Sequence, residues 1–305
     1  MKASSVVALS KKRTNGRLLK ALLRREFRLL GRFAPRLSDK RAAALFSTPR
    51  RRRARLQPGT AGLVGTPFSV ASGQFKLAAW RWGEGPTVLL THGWNGSAAQ
   101  LSSFIRPLVD AGFRVVAFDQ PAHGRSSGRR TTLVQMTEAL HSVAREVGPL
   151  HAVVAHSLGA TATALALFDN LPAGRVVLVA PPAAPPYFAR RLAEMLSLSA
   201  ERTAGMLAEL ERSVGIHLEA LDVRRIAGWL RQPALLFHDV SDREVPFAHG
   251  QSIAEAWPKA RFIPLERLGH IRPLSDAGVV RTTVAFLREA FAATAVHQSG
   301  AATSA

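Results

Sequence analysis

The chain contains no cysteine, which removes disulfides, thiolate nucleophiles and Cys-based metal sites and leaves no argument for an oxidising compartment. Serine is the nucleophile left to look for. Long apolar runs are missing as well: none reaches the roughly 18 residues that span a bilayer, and the N-terminal SVVAL stretch is interrupted by KKR before it could form a signal-peptide core. The expected location is cytoplasmic, with peripheral contact at a membrane surface as an added option. No internal repeat and no histidine cluster at metal-ligand spacing occurs in the sequence, so no metal is expected.

Acidic residues are scarce, 21 Asp and Glu against 41 Lys and Arg, for a net charge of +20. Such a balance ordinarily points to nucleic acid or an anionic surface. Its distribution says otherwise. Residues 1–58 hold 18 of the basic residues with only Glu26 and Asp39 against them, so the remainder is close to balanced. No nucleic-acid partner is expected for the main domain.

With 305 residues and 47% hydrophobic content the chain can bury a full core. The basic segment contains a helix over about 16–34: Leu19, Leu22, Leu23, Phe27, Leu30 and Phe33 recur at three- and four-residue spacing, with Arg17, Lys20, Arg24, Arg25, Arg28 and Arg32 between them. It can dock on the main domain or lie on an anionic membrane or partner; docking is the expectation carried forward. Arg50 to Arg53 and the following QPGTAG read as an exposed linker.

From about residue 63 short β-rich runs alternate with helical stretches, the mark of a mostly parallel sheet covered on both faces. The sequence predicts an antiparallel opening pair at 64–70 and 75–82, then strands at 86–93, 114–119, 151–156, 175–181, 233–239 and 261–266. Helices are expected at 97–111, 132–147, 158–169, 247–256 and 277–294. The expected fold is α/β, with about eight strands, divided as a basic extension (1–58), a core (59–181 and 233–296), a helical lid (182–232) and a flexible tail (297–305).

The run LHAVVAHSLGATAT (150–163) turns from strand to Ala-rich helix at Ser157. A corner that sharp holds its side chain clear of both elements, and the first free N–H groups of the helix face whatever Ser157 attacks. The other reading is a serine that caps a buried helix. A nucleophile needs a base, an acid that orients the base and a second oxyanion donor. The strand PALLFHD leads into VSDREVP, which offers Asp242, and RFIPLE leads towards LGH, which offers His270. The amides of Trp94, beyond PTVLLTHG, and of Leu158 offer an oxyanion hole.

Five motifs, THGWNG (91–96), FDQPAHGRSSG (118–128), AHSLG (155–159), HDVSDREVP (238–246) and LGH (268–270), stand in an order that resembles the α/β-hydrolase superfamily of serine hydrolases, AB hydrolase-1 type. The resemblance covers about residues 63–294. It implies an α/β-hydrolase fold and a cofactor-free enzyme acting on a small-molecule carboxylic ester or thioester through Ser157, Asp242 and His270. C–C bond hydrolysis and perhydrolysis use the same triad and stay open, as does a non-catalytic module that works through the basic helix. The match departs at Ala155 (Gly in the family), at PAHG (121–124, usually PGHG) and at Asp239, where glycine commonly stands. The family pattern selects Asp242 over Asp239 as the acid; Asp239 is expected to cap its loop or pair with Arg243. His156 is expected to point away from the site, and His92 and His123 to be structural hydrogen bonders.

Overall fold

The computed structural model describes residues 3–51 and 63–301, with side chains described for 18–51 and 63–289. Most of the linker at 50–62 and the side chains of the tail lie outside the described residues.

Eight strands form one sheet: β1 (Thr66–Ser72), β2 (Phe75–Trp82), β3 (Thr87–Thr91), β4 (Arg114–Phe118), β5 (Leu150–His156), β6 (Ala173–Val179), β7 (Ala234–Asp239) and β8 (Ala260–Leu265), in the order β1-β2-β4-β3-β5-β6-β7-β8. The hairpin β1–β2 and the β2–β4 pair are antiparallel, and every other neighbour is parallel. This is the α/β-hydrolase fold expected from the sequence. Strands buried on both sides carry unbroken apolar runs rather than alternation, and all five residues of β3 are buried while the edge strand β8 is half exposed.

The chain holds helices α1 (Ala3–Phe33), α2 (Pro35–Phe46), α3 (Ser102–Asp110), α4 (Leu133–Val147), α5 (Leu158–Phe168), α6 (Pro185–Leu196), α7 (Ala200–Val214), α8 (Val223–Ile226), α9 (Phe247–Ala256) and α10 (Ala277–Ala301). Phe104 and Leu108 of α3, with Val280, Phe286 and Leu287 of α10, pack against Val88, Leu90, Val154, Val177 and Phe237 on one face of the sheet. The alternate strand residues Leu89, Val153, Leu178 and Leu236 are equally buried, so the sheet is covered on both faces. A Thr132–Gln135 capping box starts α4: Gln135 N–H donates to Thr132 Oγ1 at 3.3 Å and Thr132 N–H to Gln135 Oε1 at 3.1 Å.

Two compact units divide the chain, one formed by 1–48 with 184–221 and the other by 49–183 with 222–305. The first is helical. Here α1 packs against α2 and α6, and α2 against α7, and the Arg202 guanidinium donates to Asp39 Oδ2 at 2.7 Å. The basic extension therefore packs with the insertion that follows β6, two segments treated separately on sequence grounds. Its first helix begins at Ala3 rather than near residue 16, and α2 follows without having been foreseen. The last helix runs on to Ala301, past the residue 297 at which the tail was expected to begin. The start of the supposed linker is tied down: Arg50 N–H donates to Asn95 Oδ1 at 2.7 Å and Arg51 Nε–H to the Gly124 carbonyl at 2.9 Å.

Strand order fixes where a site can form. After β3 the chain crosses to β4 on one side, then returns past β3 to β5 on the other. The carboxyl ends of β3 and β5 are therefore the switch point, the place at which open α/β sheets bind ligands. His92, Gly93 and Trp94 leave β3 there, and Ser157 leaves β5.

Candidate active site

Ser157 has φ +50° and ψ −127°, a backbone conformation that a residue with a side chain holds only at a cost of about 1–3 kcal/mol. The turn from β5 to α5 imposes it. Close packing leaves no slack: a Cβ on Gly93 would lie 2.7 Å from Ser157 Cβ, and one on Gly159 would lie 2.4 Å from the His92 carbonyl oxygen. The segment leaving β3 is thus pressed against the elbow, and only glycine fits on both sides of the contact. Gly159→Ala is expected to destabilise the fold by roughly 3 kcal/mol, because its new methyl meets backbone that cannot swing aside. A lowered urea midpoint would register this; a midpoint equal to that of the parent chain would contradict the contact.

The Ser157 hydroxyl does not cap α5, for no side-chain cap hydrogen bond is present. Instead Ser157 Oγ lies 3.0 Å from His270 Nε2, and His270 Nδ1 lies 2.7 Å from Asp242 Oδ2. A carboxylate only accepts, so Nδ1 carries the proton and donates to Asp242. Nε2 is left bare to accept from the serine. The Asp242 side chain is fully buried and that of His270 nearly so, whereas Ser157 is half-buried.

Three loops bring these groups together. Asp242 follows β7, where its Oδ1 accepts from the Glu244 and Val245 N–H groups at 2.8 and 3.0 Å. Burial opposes its ionisation, but hydrogen bonds from His238 and His270, attraction to His270 and the Val245 N–H outweigh it and hold the carboxyl well below the usual carboxylate range. Its partner His270 follows β8 on a loop turned sharply at Arg267 and Gly269, both with positive φ.

Asp239 supports that loop. Its Oδ2 accepts from Leu268 N–H at 2.8 Å, two residues before His270, and its Oδ1 accepts from Ser241 N–H at 2.8 Å and from the Ser241 hydroxyl at 2.5 Å. Burial pushes this carboxyl up, yet those donors together leave it below its ordinary value. The expected loop cap is present, and no ion pair joins Asp239 to Arg243 among the described residues.

His156 departs from expectation. Rather than pointing away, its ring lies 4.7 Å from that of His270, centroid to centroid, and its Nε2–H donates to the His270 carbonyl at 3.0 Å. Two contacts therefore hold the His270 backbone and ring, and no motif signals them. Burial, reinforced by the neighbouring His270, lowers the pKa of His156 to about 3, so it is neutral near pH 7.

His92 and His123 act as structural hydrogen bonders. Each accepts a backbone N–H at Nε2 (from Gln120 at 3.0 Å, from Asn95 at 3.1 Å) and donates from Nδ1 to a carbonyl (of Gly93 at 2.7 Å, of Pro121 at 2.9 Å). Burial lowers His92 to about 4; burial and the nearby His92 lower His123 to about 3. Their stabilisation is complete above the ordinary value of 6.5 and fades as pH falls towards the folded value. Between pH 7 and pH 5 each should cost the fold about 2 kcal/mol. Urea unfolding at the two pH values checks this, with a lower midpoint expected at pH 5; equal midpoints would contradict neutral burial.

The described residues hold no group of three or more His, Asp or Glu side chains able to bind a metal ion. No described helix is long and apolar enough to cross a membrane. Trp94 and Leu158, the other two residues singled out from sequence, are half-buried and stand at the ends of the two segments that Gly93 and Gly159 press together.

Residues 88–282, more than half of the chain, match the alpha/beta hydrolase family. The chain belongs to that family. A non-heme haloperoxidase from Rhodococcus erythropolis is 38% identical over 61 residues, which is 20% of this chain and 22% of that protein's length. Among solved structures, an esterase from Pyrococcus furiosus shares the fold at 19% identity with a TM-score of 0.62, covering 80% of this chain and 97% of its own. A membrane phospholipase A described as a bacterial virulence factor superposes with a TM-score of 0.58 at 17% identity, covering 94% of this chain and 97% of its own.

Proposed function

We propose that the protein is a serine hydrolase that cleaves a carboxylic ester or thioester of small to medium acyl chain through an acyl-enzyme on Ser157. The observation that carries this reading is the hydrogen-bonded chain from Ser157 Oγ through His270 to Asp242, at 3.0 and 2.7 Å, with the serine held off its capping position.

As Ser157 Oγ bonds to the acyl carbon, His270 Nε2 takes the hydroxyl proton. Charge moves to the carbonyl oxygen, where the Trp94 and Leu158 N–H groups donate to it. Asp242 keeps His270 in the required tautomer and stabilises its imidazolium. When the tetrahedral intermediate collapses, the alcohol or thiol leaves with the proton from Nε2. Water then attacks the acyl-enzyme, giving up its proton to His270, and the acid departs as Ser157 recovers its hydrogen.

Hydrolysis of p-nitrophenyl esters from acetate to dodecanoate, together with matching acyl thioesters, tests the proposal. Turnover should be highest among the shorter chains, with an initial burst of p-nitrophenol when deacylation limits the rate. Failure to hydrolyse any member of either series would overturn it. A second reading is favoured by the haloperoxidase match: hydrogen peroxide can replace water in the last step and release a peroxy acid. Peroxy-acid formation with acetate and hydrogen peroxide, at a rate above that of ester hydrolysis, would prefer it.

A further inference from the structure

Helix α1 is more apolar than its own packing requires. Phe27 is buried and Leu23 and Leu30 are half-buried, which gives one stripe facing the helices of its own unit. A second stripe lies beside it, about a third of a turn round the helix. Leu18, Leu22, Leu29 and Phe33 fall on one face at spacings of four, seven and four residues, and they are 62%, 55%, 49% and 75% exposed. That face runs about 22 Å along the helix.

The charged residues along one edge of this face are of one sign, while Glu26 on the other edge is paired with Arg41. Arg25 and Arg32 border the stripe, Arg28 lies further round on the same side, and all three are exposed. None of them has an ion pair among the described residues. Over residues 18–48 eight Lys and Arg face only Glu26 and Asp39, and both acids already have arginine partners, Glu26 with Arg41 and Asp39 with Arg202. Large apolar side chains set beside arginines that have no ion pair, Arg32 lying over the Phe33 ring at 5.5 Å, suit an interface where alkyl chains meet anionic headgroups: the leucines and phenylalanine enter the acyl boundary while the guanidinium groups reach back to phosphate.

We infer that this outer face of α1 is a docking surface for an anionic phospholipid bilayer, with the adjacent face of the same helix holding it to α2 and α6. The two fates considered from sequence, docking on the protein and lying on a membrane, are then met by two faces of one helix. Charge complementarity selects the occupant. A neutral protein groove would satisfy the leucines and leave the arginines without partners, and a polyanion such as nucleic acid would satisfy the arginines and leave the apolar stripe in water. The inference does not depend on the chemistry proposed for Ser157.

Flotation of the full chain with phosphatidylcholine vesicles, with and without phosphatidylglycerol, tests it. The protein should float with the anionic vesicles and not with the neutral ones, and high salt should release it. Leu22→Asp/Leu29→Asp/Phe33→Asp should abolish flotation. Arg25→Gln/Arg28→Gln/Arg32→Gln, exposed positions that are safe for folding, should lower partitioning on the order of 100-fold, about five-fold per arginine; thermal melts report whether each variant is folded. Three results would overturn the inference: no flotation with anionic vesicles; flotation undiminished by the arginine changes; or a dimer in sedimentation velocity that the arginine changes dissociate, which would make a second copy the occupant. Binding to duplex DNA without flotation would overturn it too.

Discussion

Replacing Ser157 by alanine is expected to lower ester turnover by about 10⁴- to 10⁶-fold while leaving the fold intact. On the proposed mechanism the loss is large because one atom is removed from a unit that acts together: without Oγ no acyl-enzyme would form, and His270 would have no hydroxyl to deprotonate. Little is lost structurally. Ser157 Oγ makes no cap hydrogen bond to α5, and its partner Nε2 opens onto a half-buried position where water can serve it. The strained φ of +50° comes from the backbone turn and is present with either side chain. Initial rates on p-nitrophenyl acetate and the urea midpoint check both halves. Parent-like turnover would remove Ser157 from the reaction; a collapsed midpoint would assign it a structural role.

Asp242→Asn should cost about 10⁴-fold, and the structure gives the reason. Oδ1 is held by two backbone donors, Glu244 and Val245 N–H, so the oxygen of the substituted amide must occupy that position. Its NH₂ is then forced to face His270 Nδ1. Two donors cannot share that contact, so the imidazole takes the other tautomer, protonated at Nε2, and cannot accept the serine proton. Asp239→Asn should behave differently. It replaces one acceptor among Ser241 and Leu268 N–H with a donor, at a cost of about 1–3 kcal/mol in stability, and slackens the His270 loop without changing the tautomer. Turnover should fall about tenfold or less. Equal losses of turnover in the two variants would contradict the division of labour between these carboxylates.

Much of this arrangement was legible in the chain. Parallel strands buried on both faces write themselves as unbroken runs such as TVLLT and LHAVVAH, and the segments after them carry Ser157, Asp242 and His270 in one order. The rest depends on contacts distant in sequence. Asp239 shows nothing in HDVSD that reveals its bond to Leu268, 29 positions away. The contact of the His156 ring with His270 joins residues 114 positions apart, which no periodicity reports. Helix α2 was hidden because Pro35, at its first turn, reads equally well as a breaker or a helix start. The packing of α1 and α2 with α6 and α7 joins segments as far apart as Asp39 and Arg202, 163 positions, and apolar spacing on α1 could announce a stripe without saying that part of it stays exposed.

The most direct measurement of the central claim is intact-mass analysis after treatment with a fluorophosphonate, followed by peptide mapping. A single adduct on the peptide that carries Ser157, absent from the Ser157→Ala chain, is the expected result. An adduct on another residue, or none in a preparation that hydrolyses esters, would contradict it.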